Sequence, residues 1–519
     1  MVFPPIHLIL AVVGVLLLVG ALSNKLSSHF NVPILLIFLG IGMVCGRNFF
    51  PEMPHFQLIN YAGTTAMCYI LFSGGLDTRF RNIRKVLTPG ALLATVGVIL
   101  TMLFFALFSY GTLYLVELSK GEKITALSFG SCLLLAALIS STDAASVFAI
   151  LSGRKVSLKG RLRPLLELES GSNDPMAYFL TILVIGLVTG KNEFSVLTVL
   201  DLIYRMGAGV LLGYAFGWLG SLLFKIKLEY EGLYFVFDIA LVILTYGITE
   251  LLHANGMMAC YVCGITLTYL GFNYQKNITR FSDGVSWLMQ VILFTALGFF
   301  VSFSDLSRML PYGVILSILL MFLARPLAVY LTLIGSPFSM REKLLISWVG
   351  LRGAAPIVLA TFPLAAGLGD GHRIFTMIFI MVLVSMLIQG STIMPLAKLL
   401  KLDLPFMDQE RIPLELEATP ATARHRMYEF TVQENNVLTG KRIADVDFPP
   451  GVLITLIRRQ DQLIPPNGNT QIMTGDTLLI MASHKNMDKV AEEFFPESGY
   501  TPHIEPTNPT QFFKRSKRL

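Results

Sequence analysis

Charge is what this chain has least of. Asp, Glu, Lys and Arg make up 14% of its 519 residues, against about 25% in soluble domains, and the mean hydropathy is +0.65. That balance excludes an ordinary soluble fold. Cysteine is sparse too: Cys45, Cys68, Cys132, Cys260 and Cys263 all lie in apolar runs and supply no disulfide framework. Cys260-x-x-Cys263 has redox or metal spacing, but no second ligand pair accompanies it, so it reads as helix packing. No Gly-x-Gly-x-x-Gly follows a strand pattern, which excludes the dinucleotide fingerprint. The first apolar run, Ile6 to Leu22, has neither a basic n-region nor a clear small-residue cleavage site. It is expected to be a retained helix rather than a signal peptide. The net charge of +6 does not point to nucleic acid, because Lys514, Arg515, Lys517 and Arg518 gather four basic charges in a C-terminal tail, 497–519, expected to be disordered.

Apolar runs of span length fill the rest. Thirteen are read, at 6–22, 32–46, 57–76, 89–110, 124–151, 164–189, 198–224, 232–253, 256–271, 284–303, 311–334, 342–366 and 374–400. Residues 1–401 are therefore expected to form an all-α polytopic membrane domain in the lipid bilayer. Basic residues collect after alternate spans: Arg79, Arg81, Arg84 and Lys85; Arg154, Lys155, Lys159, Arg161 and Arg163; Lys225 and Lys227; Lys276 and Arg280; Arg341 and Lys343; Lys398 and Lys401. The positive-inside rule then puts the N-terminus outside and the C-terminus inside the cytoplasmic (inner) membrane.

Polar islands interrupt three of the spans. Glu169-Ser170-Gly171-Ser172-Asn173-Asp174-Pro175 precedes an apolar run that begins at Met176. Helix spacing stacks Glu169 under Asn173 and Ser170 under Asp174. The alternative is a loop ahead of a helix capped by Asn173 or Asp174, with Pro175 at the first helical position. Ser140-Ser141-Thr142-Asp143 breaks the fifth run, and an interhelical hydrogen bond is its bland reading. An ionisable group in a span costs roughly 2.5–3.5 kcal/mol on insertion scales and marks a functional site by default. Oxygen donors beside carboxylates suit a hard cation or a proton. Gly350-Leu351-Arg352-Gly353 breaks the twelfth span. Spans 1–6 and 8–13 make two halves in which the fifth and twelfth correspond, the pattern of two inverted repeats with broken crossing helices. Arg325 lies inside the eleventh span and is expected to neutralise a buried carboxylate, Glu169 first; a snorkelling helix end is the alternative. Asp238, Glu250, His253 and His7 lie nearer span ends and are expected to be interfacial or structural.

Thr142-Asp143, Glu169-Ser170-x-x-Asn173-Asp174 and Gly350-Leu351-Arg352-Gly353 together resemble the monovalent cation:proton antiporters, in the branch of NhaP-type exchangers and their animal sodium/proton relatives, over residues 1 to 400. The resemblance implies that Asp174 carries the cation or the proton, with Asp143, Thr142, Asn173, Ser170 and Glu169 around it and Arg325 and Arg352 compensating charge. Family members often have Pro where this chain has Ala144. Asn173 stands where electrogenic relatives have a second aspartate, which implies electroneutral exchange of one cation for one proton. No resident cofactor is implied, and no metal beyond the transported alkali cation.

Beyond Lys401 the composition changes. Residues 402–425 read as a linker, and 426–496 as a small α+β domain with strands at Tyr428–Val432, Val452–Ile457 and Thr477–Met481. Leu438-x-Gly440-Lys441-x-Ile443, Gly451-Val452-Leu453 and Gly475-Asp476-Thr477-Leu478-Leu479 resemble TrkA-C regulatory domains. That implies K+ beside Na+ and H+ as substrates, a homodimer, and a nucleotide or cyclic dinucleotide as regulatory ligand. A cation channel with such a regulator is the first rival, but no Thr-Val-Gly-Tyr-Gly-like filter occurs. An intramembrane enzyme is the second, and His253 and His7 are poorly placed for one.

Overall fold

The computed structural model describes residues 7, 14–15, 17–18, 38–43, 56–78, 80–120, 127–143, 146–148, 151, 156–190, 195–272, 274–301, 303–405, 426–433, 436–459 and 462–494. Ala144, Cys45, the tail 497–519 and most of the first two expected spans lie outside these residues. The chain divides into two compact units, Met1–Phe406 and Met407–Leu519.

In the first unit the apolar runs are helices, because lipid offers the backbone no hydrogen-bond partner and a helix satisfies its own groups. In chain order they are α1 (Phe56–Asp77), α2 (Arg84–Ser119), α3 (Phe129–Ile139), α4 (Leu162–Val188), α5 (Val196–Leu223), α6 (Leu233–Leu251), α7 (Gly256–Leu270), α8 (Gln275–Gly298), α9 (Phe303–Thr332), α10 (Met340–Trp348), α11 (Ala354–Ala365) and α12 (Gly371–Leu399). Seven of the described helices are long and apolar enough to cross a membrane. α2 and α9 each carry one π-helical stretch, at Leu93–Gly97 and Leu320–Ala324.

Packing sorts the helices into two groups. α7 lies between α5 and α1, and α8 packs on α1; α3 lies against α2 and α4, and α9 against α12. α4 meets α7, and α11 meets both α1 and α8, where the groups touch. α12 is the most enclosed span and α5 the least. What α5 buries is a stripe of small residues, Gly209, Gly213, Gly217, Gly220 and Ser221, which lets α7 approach closely. Its large apolar side chains, such as Leu197, Ile203, Leu211 and Trp218, are exposed, as a lipid-facing surface requires.

Two of the expected spans are broken. The fifth stops as a helix at Ile139 and runs unwound through Ser141–Asp143; the twelfth is unwound from Gly350 to Gly353, between α10 and α11. Strand β1 (Val156–Leu158), in the connection from this first break to α4, pairs antiparallel with β2 (Asp403–Pro405), just beyond α12. Lys159 extends the contact, its N–H donating to Leu402 O and its Nζ to Lys401 O, both at 3.0 Å. The first residues of the expected linker are thus a strand of the first unit.

The second unit is a four-stranded antiparallel sheet in the order β3-β6-β4-β5, from β3 (Arg426–Thr431), β4 (Leu453–Arg459), β5 (Gln462–Ile464) and β6 (Thr477–Ala482), followed by α13 (His484–Phe494). Phe430, Ile457, Leu478, Ile480, Met487 and Val490 form its core. Asp476, fully buried at the start of β6, accepts from Arg459 Nε and Nη2 at 2.7 Å and from the Met473 N–H at 2.8 Å. The carboxylate holds the Arg459 guanidinium above its ordinary value.

Candidate functional site

The two unwound segments lie against each other. Asp143 N–H donates to Leu351 O at 2.8 Å, and Arg352 Nη1 donates to Ser141 O at 2.5 Å. Unwound backbone inside a membrane protein must find partners, and neighbouring helices supply them. Ser170 Oγ on α4 donates to Thr142 O at 2.7 Å. On α12, Ser385 Oγ accepts from Arg352 N–H at 3.1 Å, and Gln389 Nε2 donates to Trp348 O at 2.9 Å. Asp143 turns the chain back into helix: its Oδ1 accepts from Ser146 N–H at 3.0 Å and its Oδ2 from Ser146 Oγ at 2.5 Å, the arrangement of an N-cap.

Gly353 is what lets the segments meet. A Cβ there would stand 2.1 Å from Asp143 Oδ2. Gly171 plays the same part on α4, where an added Cβ would fall 2.2 Å from the ring of Tyr261 on α7. The loop reading of 169–175 is overturned: these residues lie in the middle of α4, and Pro175 is interior to it. Asn255 Nδ2 donates to Pro175 O at 2.9 Å.

All eight site residues read from the sequence converge here. Glu169 and Arg325, each 1% exposed, form an ion pair, so Arg325 rather than Arg352 is the partner of Glu169 and is no snorkelling helix end. Asn173 Nδ2 donates to Thr142 Oγ1 at 2.6 Å. Asp143 and Asp174 are partly exposed, and both line a cavity of about 50 Å³. Ser141, Thr142 and Gln290 add polar walls, and Met67, Leu71 and Phe294 close it with apolar ones. That volume accommodates a few water-sized occupants. Ser141 Oγ, Asn173 Oδ1 and Asp174 Oδ1 are buried and find no protein hydrogen-bond partner. Two neutral oxygens, Ser141 Oγ and Asn173 Oδ1, beside the carboxylates of Asp143 and Asp174 are a donor set for a hard monovalent cation. Arg352, also 1% exposed, keeps one Nη2 unpartnered nearby.

Several residues were not singled out from sequence. Ser146 had a signal, since Asp143-x-x-Ser146 has capping-box spacing. Gln290, Ser385 and Gln389 had none, because their roles depend on which helix lies opposite. Of the two alternatives for Asp238, interfacial or structural, the structure favours the second: it is fully buried on α6, accepting from Tyr69 and, at 2.8 Å, from Ser282 Oγ. Cys260 and Cys263 are buried, free and on one face of α7, and no metal-holding cluster occurs among the described residues.

Comparisons with known proteins give the same outline. Residues 13–399 match the sodium/hydrogen exchanger transmembrane family, and 427–494 match the TrkA-C domain. A K(+)/H(+) antiporter NhaP2 of Shewanella sp. (strain ANA-3) is 33% identical over 499 residues, covering 94% of this chain and 83% of the relative. A K(+)/H(+) antiporter NhaP of Alkalimonas amylolytica is 33% identical over 489 residues, with the same coverage. The structure of the sodium proton antiporter MjNhaP1 from Methanocaldococcus jannaschii at pH 8 superposes with a TM-score of 0.65 at 24% identity, over 76% of this chain and 99% of that one.

Proposed function

The chain belongs to the sodium/hydrogen exchanger family and is a cation:proton antiporter, and from that premise we propose that it exchanges K+, Na+ or both for H+ with Asp174 as the carrier. The observation that carries this reading is the shared cavity. Asp174, Asp143, Thr142 and Ser141 line it where two unwound segments cross.

In the proposed cycle Asp174 holds either a proton or a dehydrated alkali cation, never both, so competition for one group couples the two fluxes. Thr142 and Ser141 offer oxygens. Asn173, tied to Thr142, holds the unwound segment to α4 without adding charge, and so one cation exchanges for one proton. The Glu169–Arg325 pair is internally neutral and fixes α4 against α9. Arg352 faces the cavity segment as a fixed positive charge that limits repulsion between the carboxylates. Alternating access is a rocking of one helix group against the other around this site. The complete membrane domain is proposed to cross thirteen times as two inverted repeats, with the N-terminus outside and the C-terminus cytoplasmic. We assign the TrkA-C domain to regulation, in a homodimer, with a nucleotide or cyclic dinucleotide as ligand; a ligand acts only through different affinity for two states of the transporter.

The test is proton movement in vesicles of purified protein, compared across K+, Na+, Rb+ and Li+. Equal rates for all four, or none, overturn the substrate assignment. A rate that follows an imposed voltage, at about 2.3 kcal/mol per charge per 100 mV, overturns one-for-one exchange.

A further inference from the structure

A second carboxylate is buried in the membrane domain and takes no part in the cycle above. Asp238 is the sixth residue of α6, about 8 Å along the axis from its start. It is 0% exposed. Both of its donors, Tyr69 Oη on α1 and Ser282 Oγ on α8, go to one oxygen, Oδ2. The other oxygen, Oδ1, is buried with no hydrogen-bond partner. Among the described residues no Lys, Arg or His forms an ion pair with it. The titratable groups that face it are Tyr69 on α1 and Cys263 on α7. On α8, Asp283 follows Ser282 and accepts from Ser73 Oγ at 2.9 Å. From α5 it is Gly220 that meets α6, at Leu241.

Two hydroxyl donors on one oxygen do not balance a full negative charge in a membrane interior, where an unpaired ion is costly. An alkali cation would need about six oxygens, and this cluster offers four, Asp238 Oδ1 and Oδ2, Tyr69 Oη and Ser282 Oγ. A proton on Oδ1 removes the charge and requires no further ligand. We propose that Asp238 is a second proton-binding site, distinct from the transport pair, in which Oδ1 carries the proton while Oδ2 accepts from Tyr69 and Ser282. The reaction is a simple protonation: one proton joins Oδ1 from water and returns to it. The route is the polar face of α1, where Tyr69, Ser73 and Asp77 follow at four-residue spacing toward the basic connection at Arg79–Lys85.

The site touches transport through shared helices. α1 lends Tyr69 to Asp238 and Met67 and Leu71 to the cavity; α8 lends Ser282 to Asp238 and Gln290 and Phe294 to the cavity. Loss of the proton leaves a bare carboxylate between α1, α6 and α8, and the packing that changes is that of two cavity walls. The pH at which Asp238 titrates therefore modulates exchange.

The experiment is infrared difference spectroscopy of the full chain in lipid, acid minus alkaline, with transport measured on the same variants. The expected result is a carboxylic-acid C=O band that persists in Asp174→Asn, which transports nothing, and disappears in Asp238→Asn. Asp238→Asn, which imitates the protonated form, is expected to retain exchange with a displaced pH midpoint. Tyr69→Phe, which removes one donor to Oδ2, is expected to move the band in frequency and titration. A band unaffected by Asp238→Asn overturns the site. If Asp238→Asn does not fold, an unmoved band in Tyr69→Phe does so instead. A pH profile of Asp238→Asn superimposable on the parent overturns the modulation.

Discussion

The membrane unit holds carboxylates in two settings that differ in access and in charge compensation. Asp143 and Asp174 face a cavity, with two buried guanidinium groups on neighbouring elements; Asp238 is sealed among hydroxyls, with no ion-pair partner among the described residues. Burial alone therefore does not separate the proposed transport pair from Asp238; access and compensation do. A group that must exchange a proton for a metal ion needs room for the ion and fixed positive charge close by, whereas a group that only holds a proton needs neither.

The largest expected effect tests the first half of that contrast. Asp174→Asn should abolish cation-dependent proton movement while the protein remains folded in the membrane, because the amide neither binds a proton nor neutralises a cation. Asp143→Asn should be severely impaired. Near-parental exchange by Asp174→Asn would erase the distinction. Next comes access. Gly353→Ala forces Asp143 aside and should slow exchange by about tenfold to a hundredfold, as displacements of about 1 Å do, with expression little changed. An unaltered rate would mean that the crossing of the segments does not set the site.

Compensation is third. Arg325→Ala leaves Glu169 buried without a partner and should destabilise the membrane unit by about 3–5 kcal/mol, read from thermal unfolding in detergent. Replacing both partners by neutral residues of similar size should cost much less. If the double change is as damaging as the single one, the pair does more than cancel charge. The smallest effect lies outside the membrane. Asp476→Asn weakens the bond to Arg459 and should cost the second unit about 1.5–3 kcal/mol, leaving proton movement in the parent range.

The residues that gather at the two unwound segments were legible in the sequence, and the surroundings of Asp238 were not. Acids and glycines that interrupt apolar runs stand out because lipid gives them no reason to be there, so Asp143, Asp174, Glu169, Arg325 and Arg352 were all visible. Asp238 is one acid near the start of a span, and one-dimensional position makes such a residue look interfacial. Its burial comes from α1 and α8 closing over it, which no local pattern records. The island at 169–175 offered two readings, helix stacking and a helix start at Asn-Asp-Pro, and α4 runs straight through it as the first requires. The supports of the second break, Ser385 and Gln389, were silent because any polar residue on α12 would have looked the same.

The ladder between β1 and β2 sets a timetable for synthesis. Its second strand begins 245 positions after the first ends, at Asp403 against Leu158. At about 5–20 residues per second, β1 waits about 12–50 s for its partner to be made, with both α4 and the second break assembled in the interval. Closing the ladder is thus among the last local events of the membrane unit, and it ties the connection between Asp143 and Asp174 to the stretch from which the second unit emerges. A chain ended at residue 402 can never close it, whereas one ended at 406 can. Two truncations four residues apart, both lacking the whole regulatory domain, therefore differ in how the connection between Asp143 and Asp174 is held.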